Sequence, residues 1–505
     1  MKIAFVNDWS QHIALQIIAA FLKKNGHKVK VFIEPSLFSD IWVSVPSLHK
    51  ILDFKKEVVL GLQDYNPDLI GFSSTTRTYD WCCNVAEYVK EHLDVPIIIG
   101  GLHPSFVPER VIENKSFDML CVGEGEHALL ELLNSMEKGS IDYSIKNLWF
   151  KKNGNIIKNE KRPILADVNS IPNPDMDIYL DSYSYYTNSY VVNTTRGCPY
   201  SCSYCCISYS QQLYKNEPKF RVRSVTNVIK ELQEVKYLNK KTSKIMFNDT
   251  CFGYDINWLK EFSIEYAEKI NIPFFAVMHP NNITEESIAY LKNAGCKSIS
   301  LGMQTWDKSV RENIYNRELT NEIMENAVKL VKSAKMEILL DNIFDHPGST
   351  VEKYIASMEF YTRCRPTRNY FYRLHYFPKT ALSQNARKNN WITPEEYDAA
   401  LDGKELRTLR FEPFVDAETK KNDRLFLQLQ IFFIIVDLVP ACVTNFIVKR
   451  KLYRYLPTFL SPAFLTIFRT LISFDFESRY FRSIMACRYL YFIKKKILNR
   501  FAQKI

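Results

Sequence analysis

Three of the 12 cysteines in this 505-residue chain, Cys198, Cys202 and Cys205, fall close together in the run Thr194-Thr-Arg-Gly-Cys-Pro-Tyr-Ser-Cys-Ser-Tyr-Cys205. Thiolates are soft ligands, and several on one short loop can converge on a single metal centre. Three is the informative number. A structural zinc is closed by four protein ligands, whereas a four-iron cluster held by three thiolates keeps one iron open for a small ligand. Cys206 is the neighbouring candidate for a fourth ligand, but adjacent cysteines rarely point at one metal. A zinc site and an unliganded trio are the alternatives. Cys251, Cys296, Cys364, Cys442 and Cys487 are scattered, so no auxiliary iron–sulfur centre is expected. The first residues read as a strand and a helix without the apolar core or cleavage site of a signal peptide, which predicts a cytosolic protein, where disulfides are rare.

A loop with this chemistry needs a rigid scaffold. It follows an apolar run at 190–195, the first of six strand candidates at 190–195, 244–248, 274–278, 298–303, 337–344 and 369–377. Helical patterns at 227–238, 256–269, 285–294, 308–313, 321–334 and 351–363 lie between them. Six such repeats predict a parallel (β/α)6 barrel, full or partial, with its chemistry at the strand carboxyl ends. A separate alternation precedes it, with strands at 3–6, 28–33, 69–73, 96–101 and 119–122 and helices at 14–24, 80–92, 108–114 and 126–136. This predicts an α/β, doubly wound, Rossmann-like sheet that binds ligands at its strand ends. The turns there, Ser73-Ser74-Thr75-Thr76, Gly100-Gly101-Leu102-His103 and Gly123-Glu124-Gly125, carry hydroxyls and glycines that let backbone approach a phosphate or a large flat ligand. Tight turns without a ligand are the plain alternative. A polar stretch with a hairpin signal at Lys152-Asn-Gly-Asn155 and the run Ile171-Pro-Asn-Pro174 separates the two series. The expected organisation is a first domain at 1–140, a linker with hairpin at 141–187, the barrel at 188–385 and a mostly α-helical, basic and aromatic-rich region at 386–505.

The spacing Cys-x3-Cys-x2-Cys, preceded by Thr-Arg-Gly and carrying an aromatic residue before the last ligand, resembles the signature loop of radical S-adenosylmethionine (SAM) enzymes. The resemblance implies that Cys198, Cys202 and Cys205 hold a [4Fe-4S] cluster, whose open iron binds SAM and cleaves it to a 5′-deoxyadenosyl radical. It further implies SAM contacts from Tyr204, from Asn248 and Asp249 at the second barrel strand, from Gln304 at the fourth, and from Arg317 after it. Asp341-Asn-Ile-Phe-Asp-His-Pro-Gly348 and Phe377-Pro-Lys-Thr-Ala-Leu382 are similar to the family's fifth and sixth turns. Taken singly, each such residue reads as a helix cap or a hydrogen-bonded loop residue; their order carries the resemblance. An α/β domain ahead of such a barrel, with Gly-Gly-x-His-Pro and Gly-Glu-Gly-Glu turns, looks like the cobalamin-binding domain of B12-dependent radical SAM enzymes. The resemblance then places Ser73, Ser74, Thr75, Thr76, Gly100, Gly101, Leu102, His103, Gly123, Glu124 and Gly125 around cobalamin. One departure is visible: Asp8 is followed by His12 rather than by the Asp-x-His-x-x-Gly pattern that offers a histidine to cobalt, so a cobalamin without a histidine ligand is implied, and His12 and His103 read as structural or nucleotide-contacting.

The composition, 46% hydrophobic and 24% charged, fits a folded protein of two to four domains and excludes collagen-like or disordered classes. The net charge of +10 is local: 13 Lys and Arg against two acids from Lys449 onward leave the rest of the chain at −1. No nucleic-acid partner is expected, because no RNA-binding motif accompanies the charge. Residues 425–448 form an apolar run diluted by Gln428, Gln430, Asp437, Pro440, Thr444 and Asn445, which reads as a buried helix pair rather than a membrane span. Aromatics interleaved with cations through 425–505 suit peripheral contact with the inner face of a membrane; a helical cap with a solvated basic face is the alternative. The family resemblance implies methylation of an unactivated carbon by way of methylcobalamin and the 5′-deoxyadenosyl radical, with a small-molecule or lipid-like substrate and a flavodoxin or ferredoxin as reductant. A radical cyclisation or rearrangement without methyl transfer, and a non-catalytic metal- or corrinoid-binding protein, are the other readings. Tyr209, Tyr372 and His375 are barrel-lining candidates whose plain reading is packing.

Overall fold

In the first strand, β1 (Lys2–Asn7), alternate residues go to opposite faces: Ile3 and Phe5 enter one buried cluster, Ala4 and Val6 another. A strand apolar on both faces belongs inside a parallel sheet covered on both sides. The computed structural model, which describes residues 1–8, 11–39, 45–180, 188–404, 423–436, 438–457 and 462–502, places it there. β2 (Lys28–Ile33), β3 (Leu69–Ser73), β4 (Ile97–Gly100) and β5 (Met119–Cys121) join it, all parallel, in the order β2-β1-β3-β4-β5. The order reverses between β1 and β3, which opens a crevice at their carboxyl ends. The expected hairpin forms as β6 (Leu148–Lys152) and β7 (Asn155–Lys158), but it does not float in a linker: β6 pairs antiparallel with β5 and extends the first sheet to seven strands. Leu148 and Phe150 are buried beneath it, so alternate residues of the strand ahead of the Asn-Gly turn give the hairpin a core-facing side.

The second sheet contains β8 (Ser189–Val192), then, after the short antiparallel pair β9 (Thr195–Gly197) and β10 (Phe220–Val222), β11 (Lys244–Phe247), β12 (Phe274–Met278), β13 (Cys296–Gln304), β14 (Glu337–Phe344) and β15 (Arg368–Arg373). The six long strands are parallel and adjacent in chain order, with β8 and β15 as edges among the described residues, which makes the barrel partial. Ile245, Phe247, Phe274, Ala276, Ile299, Leu301, Ile338 and Leu340 point out to a core under the helices. Those helices start where the sequence supplies an acceptor: Ser224, Asp255, Thr284, Thr320 and Thr350 cap Val225–Leu238, Ile256–Lys269, Glu285–Asn293, Asn321–Ser333 and Val351–Cys364 through side-chain oxygens. A capping box also forms at Thr393–Glu396.

The carboxyl-terminal region is helical, and the run at 425–448 contributes the helices Asp423–Ile435 and Ala441–Lys449; Asp437 lies outside the described residues. Leu429, Phe432 and Phe433 join the barrel's outer core, and among the described residues no helix is long and apolar enough to cross a membrane. The last helix, Phe476–Ala502, keeps Arg479, Lys494 and Lys495 exposed but buries other side chains along its length. At about 40 Å in length, it ties the two sheets together. Its first turn sets Phe476 against Met246, Phe275, Leu339 and Tyr370 on the inner face of the barrel. Further along, Phe492 meets Phe54 with ring centroids 5.4 Å apart, Lys496 pairs with Glu57 at 2.6 Å, and buried Arg488 donates to the carbonyls of Pro35 and Ser36.

Candidate functional site

The cysteine loop leaves β9 and is pinned from several sides. Gly197 has φ +85°, and a Cβ there would lie 2.1 Å from the Lys219 carbonyl oxygen, so only glycine lets β9 and β10 close beneath the first cysteine. The Gly197 carbonyl accepts from Thr250 Oγ1 at 2.6 Å, and Gln211 Nε2 donates to the carbonyls of Cys198 and Tyr200 at 2.6 and 3.1 Å. On the other side, Ser203 N donates to the Tyr315 carbonyl at 2.9 Å, Leu382 N to the Ser203 carbonyl at 3.0 Å, and Asn316 Nδ2 to the Ser201 carbonyl at 3.1 Å. Cys202 is buried, while Cys198 and Cys205 are partly open. Burial pushes the Cys198 thiol up.

The residues expected around SAM gather on both flanks of this loop. Arg317 is buried and reaches from one side, with Nη1 donating to Cys202 Sγ at 3.4 Å and Nη2 to the Gly302 carbonyl. Gln304, at φ +66°, ends β13 where its register with β14 slips; a Cβ on Gly302 would meet the Gln304 amide at 2.7 Å. Tyr204 stacks obliquely on Tyr315 at 4.8 Å. Across the loop, Asn248 faces open space at the end of β11. Asp249 is turned inward: Oδ1 accepts from Thr194 N at 2.8 Å and Thr195 Oγ1 at 2.6 Å, which makes it a clamp on the strand leading to the cysteines. Its Oδ2 is buried without a partner, and burial holds the carboxyl up at about 6. The sequence passed over His279, which stacks on loop residue Tyr200 at 3.9 Å with Nε2 buried and unpartnered; burial first, then Arg317, depresses its pKa to about 2.

Facing the loop is a cavity of about 500 Å³ between the two domains. Its first-domain wall includes Ser73, Ser74, Thr75, Gly100, Gly101, Leu102, Gly123, Glu124 and Gly125, and its opposite wall Asn193, Thr195, Arg196, Gly197, Gln211, Asn248 and Thr250. Two of the expected cobalamin contacts are elsewhere. His103 is fully buried, its ring 4.3 Å from that of Tyr79 and its Nδ1 3.3 Å from Thr76 Oγ1; neither it nor Thr76 lines the cavity. The helix turn that starts at Leu102 carries the ring into the domain core. Glu124 does line the cavity, but its carboxylate is engaged by Arg196 at 3.1 Å, Arg221 at 2.8 Å and Leu165 N at 2.8 Å. His12 lines it too, with Nε2 3.2 Å from Ser73 Oγ and Nδ1 without a partner. Arg196, Arg221, Glu126 and Gln211 were not singled out as site residues from the sequence, although Arg196 stood within Thr-Arg-Gly and Glu126 closed the Gly-Glu-Gly-Glu turn.

The site and the two sheets define an α/β protein in which a doubly wound domain presents a glycine- and hydroxyl-rich crevice to a cysteine-bearing parallel barrel. The sequence matches the profile of the Radical SAM superfamily over residues 192–361 and that of the B12 binding domain over residues 5–133, and the chain belongs to the radical SAM enzymes that carry a B12-binding domain. It is 28% identical over 336 residues to an uncharacterized methyltransferase of Pyrococcus horikoshii, covering 66% of this chain and 72% of that protein. It is 23% identical over 283 residues to an anaerobic magnesium-protoporphyrin IX monomethyl ester cyclase of Synechocystis, covering 52% of this chain and 53% of that one. The solved structure of the cobalamin-dependent SAM radical enzyme OxsB, with aqua-cobalamin and SAM bound, superposes with a TM-score of 0.65 at 16% identity, covering 100% of this chain and 80% of that one.

The residues present fit the cofactors of this family. Among the described residues, no three His, Cys, Asp or Glu side chains are drawn in tightly enough for one metal ion. A four-iron cluster is wider than an ion and needs its three thiols further apart. Arg317, buried beside Cys202 with its Nε unpartnered, is a polar group that a charged ligand such as SAM would satisfy. The glycine turns at the ends of β4 and β5 leave backbone bare toward the cavity, as a broad flat ligand requires.

Proposed function

We propose that this protein is a cobalamin-dependent radical SAM C-methyltransferase acting on a small polar molecule. The observation that carries the reading is a cavity bounded by the glycine turns of the first sheet on one wall and the Thr195–Gly197 approach to Cys198 on the other. When bound, the cofactors supply radical hydrogen abstraction and methyl transfer. Cys198, Cys202 and Cys205 hold the cluster; Tyr204, Asn248, Gln304 and Arg317 contact SAM; Asp249 fixes the loop. Ser73, Ser74, Thr75, Gly100, Gly101, Leu102, Gly123 and Gly125 seat the corrin. The domains are taken as 1–158, with the hairpin inside the first sheet, a connector at 159–187, the barrel at 188–385 and the helical region at 386–505, and electrons come from a small reductant of the flavodoxin or ferredoxin kind in the cytoplasm. The cyclase relatives support radical ring formation without methyl transfer as the second reading. The deciding experiment is anaerobic reconstitution with iron, sulfide and hydroxocobalamin, followed by SAM labelled in its methyl group and a strong reductant. Label on the corrinoid together with 5′-deoxyadenosine supports methyl transfer; 5′-deoxyadenosine alone supports the cyclase; neither product, with four irons in place, overturns the enzyme reading.

The inner face of the barrel favours a polar substrate over a lipid-like one. Asp341 accepts from Ser300 Oγ at 2.8 Å, and Glu477 accepts from Tyr370 Oη at 2.8 Å. Tyr372 is 47% exposed beside them, and burial pushes its hydroxyl well up. Burial raises Asp341 to about 6 and Glu477 to about 8. A carboxyl that holds its proton more tightly when folded stabilises the fold at low pH, and that stability is lost as pH rises from the unfolded carboxylate range through the folded pKa. Thermal stability is therefore expected to fall between pH 5 and 8, with Glu477 contributing up to about 1.4 kcal/mol per pH unit. Glu477→Gln should flatten the dependence of melting temperature on pH; an unchanged slope counts against a protonated Glu477.

Peripheral membrane contact is proposed for the turn between the last two helices, where Phe474 is 84% exposed and Leu471 and Ile472 just before it are also exposed, near Arg479 and Arg482. Phe474→Ser should reduce co-sedimentation with anionic vesicles severalfold. Equal sedimentation of the two proteins sinks the idea.

A further inference from the structure

We propose that Arg196 and Arg221, clasped by Glu124 and Glu126, form a latch that sets the separation between the corrin-facing turn of the first domain and the cysteine loop of the second. All four are positioning residues, and the inference rests on the reading of two cofactor sites given above.

The argument begins with a two-stranded ladder that is unfavourable by itself. β9 and β10 pair so that Arg196 stands directly opposite Arg221. Like charges facing each other across antiparallel strands repel, and this pair has only three residues of ladder on each strand to hold it. The compensating charges come from the other domain. Arg196 Nη1 lies 3.1 Å from Glu124 Oε1, its Nη2 lies 2.5 Å from Glu126 Oε1, and Arg221 Nη1 lies 2.8 Å from Glu124 Oε1. Two cations meet two anions, so the cluster is neutral as a unit. Glu124 shows the consequence: burial works to raise its pKa, yet Arg196 and Arg221 together hold it below the usual carboxylate range. The pairs are largely shielded from water, with side-chain exposures of 22% for Arg196, 10% for Arg221, 23% for Glu124 and 7% for Glu126, so salt screens them less than surface pairs.

Placement gives the latch its function. Glu124 lies between Gly123 and Gly125, which line the cavity from the first domain, and Arg196 lies two residues before Cys198 on the opposite wall. The two cofactor-binding turns are thus joined by ion pairs rather than by the covalent chain, which separates Glu126 from Arg196 by 70 residues. Arg221 also donates to the Leu165 carbonyl at 2.6 Å, so the connector between the domains is drawn into the same knot. Transfer between two bound groups depends steeply on their separation and alignment, and a displacement of about 1 Å can cost about 100-fold in rate.

The test uses the full chain reconstituted with cluster and cobalamin. Glu126→Gln keeps shape and removes one anion; the double variant Glu124→Gln/Glu126→Gln removes both. With the cluster reduced and the cobalt in its paramagnetic +2 state, pulsed electron paramagnetic resonance reads the distance between the two spins without turnover. The wild type should give one narrow distance, and the double variant a broadened or longer one with iron and corrinoid still bound in wild-type amounts. Labelled methylcobalamin formed from methyl-labelled SAM should fall roughly 10-fold or more. The swapped pair Arg196→Glu/Glu126→Arg should restore the narrow distance. An unchanged distance in the double variant overturns the proposal. So does loss of iron or corrinoid from it, which would make these residues cofactor ligands rather than spacers. A wild type that binds no corrinoid at all defeats the functional reading instead.

Discussion

Cys202→Ala is expected to yield a folded protein without its iron–sulfur cluster and with SAM cleavage below detection, a loss of at least about 1,000-fold. The fold should survive because the loop is held by its backbone and neighbours, not by this thiol. Ser203 N on Tyr315 O, Leu382 N on Ser203 O and Asn316 on Ser201 O all remain in the variant. What is lost is one of three soft ligands and the acceptor 3.4 Å from Arg317 Nη1. That arginine is buried, so removing its thiol partner leaves a cation facing a small void, and a modest loss of stability, about 1–3 kcal/mol, accompanies the loss of iron. Two comparisons make the result specific. Cys251→Ala removes a buried thiol outside the triad and should keep the iron content. Cys206→Ala tests the neighbouring candidate: retained iron leaves three ligands and an open iron, whereas lost iron would mean a closed four-thiol site and revive the zinc reading. Iron and sulfide analysis with 5′-deoxyadenosine assay distinguishes these outcomes.

The cysteine loop stood out because its pattern is local: three thiols on one turn need no knowledge of the rest of the chain. The strands were legible for a similar reason, since Ile97–Ile99 and Ile245–Phe247 are apolar on both faces and only a covered parallel sheet accommodates that. Two kinds of feature were not legible. Glu124 read as a cofactor contact because its neighbours are glycines, yet its carboxylate answers Arg196 and Arg221, and nothing in the local sequence announces a partner that distant. In the Phe476–Ala502 helix, aromatics interleaved with cations describe a surface that is half apolar, not what covers that half. Phe476 and Phe492 found two separate domains, and buried Arg488 found carbonyls at Pro35 and Ser36. His103 fell between the two: the Gly-Gly-x-His turn was placed correctly at the end of β4, but the helix that follows it rotates the ring away from the cavity.

Gly101→Ala is expected to cut bound corrinoid at least 10-fold while leaving the iron–sulfur cluster and reductive SAM cleavage near wild-type levels. Gly101 sits at φ +106° and ψ −168°, a region of backbone space open to glycine and essentially closed to other residues. A Cβ there would come within 2.4 Å of the Ser74 carbonyl oxygen and 2.8 Å of Ser74 N. Both are backbone atoms, so no side-chain rotation relieves the clash; one of the two turns must move. The turns are also hydrogen-bonded to each other, with Ser74 N donating to Gly100 O at 2.8 Å and His103 N to Ser74 O at 3.2 Å, so displacing either disturbs both walls of the crevice. Strain of this kind costs about 1–3 kcal/mol, which a domain with two large buried clusters can absorb without unfolding. The crevice itself cannot absorb it, because Ser74 and Gly101 line the cavity directly. Gly139→Ala provides the matched comparison: φ is +85° but nothing lies within 4 Å of the added carbon, so it carries the backbone strain without the collision and should keep its corrinoid. The cluster lies in the other domain, on a loop whose own hydrogen bonds are untouched, and the prediction therefore separates the two cofactor sites by one methyl group. If Gly101→Ala retains full corrinoid binding, cobalamin does not rest on the paired turns of β3 and β4, and the first domain's role in the reaction must be sought on another surface.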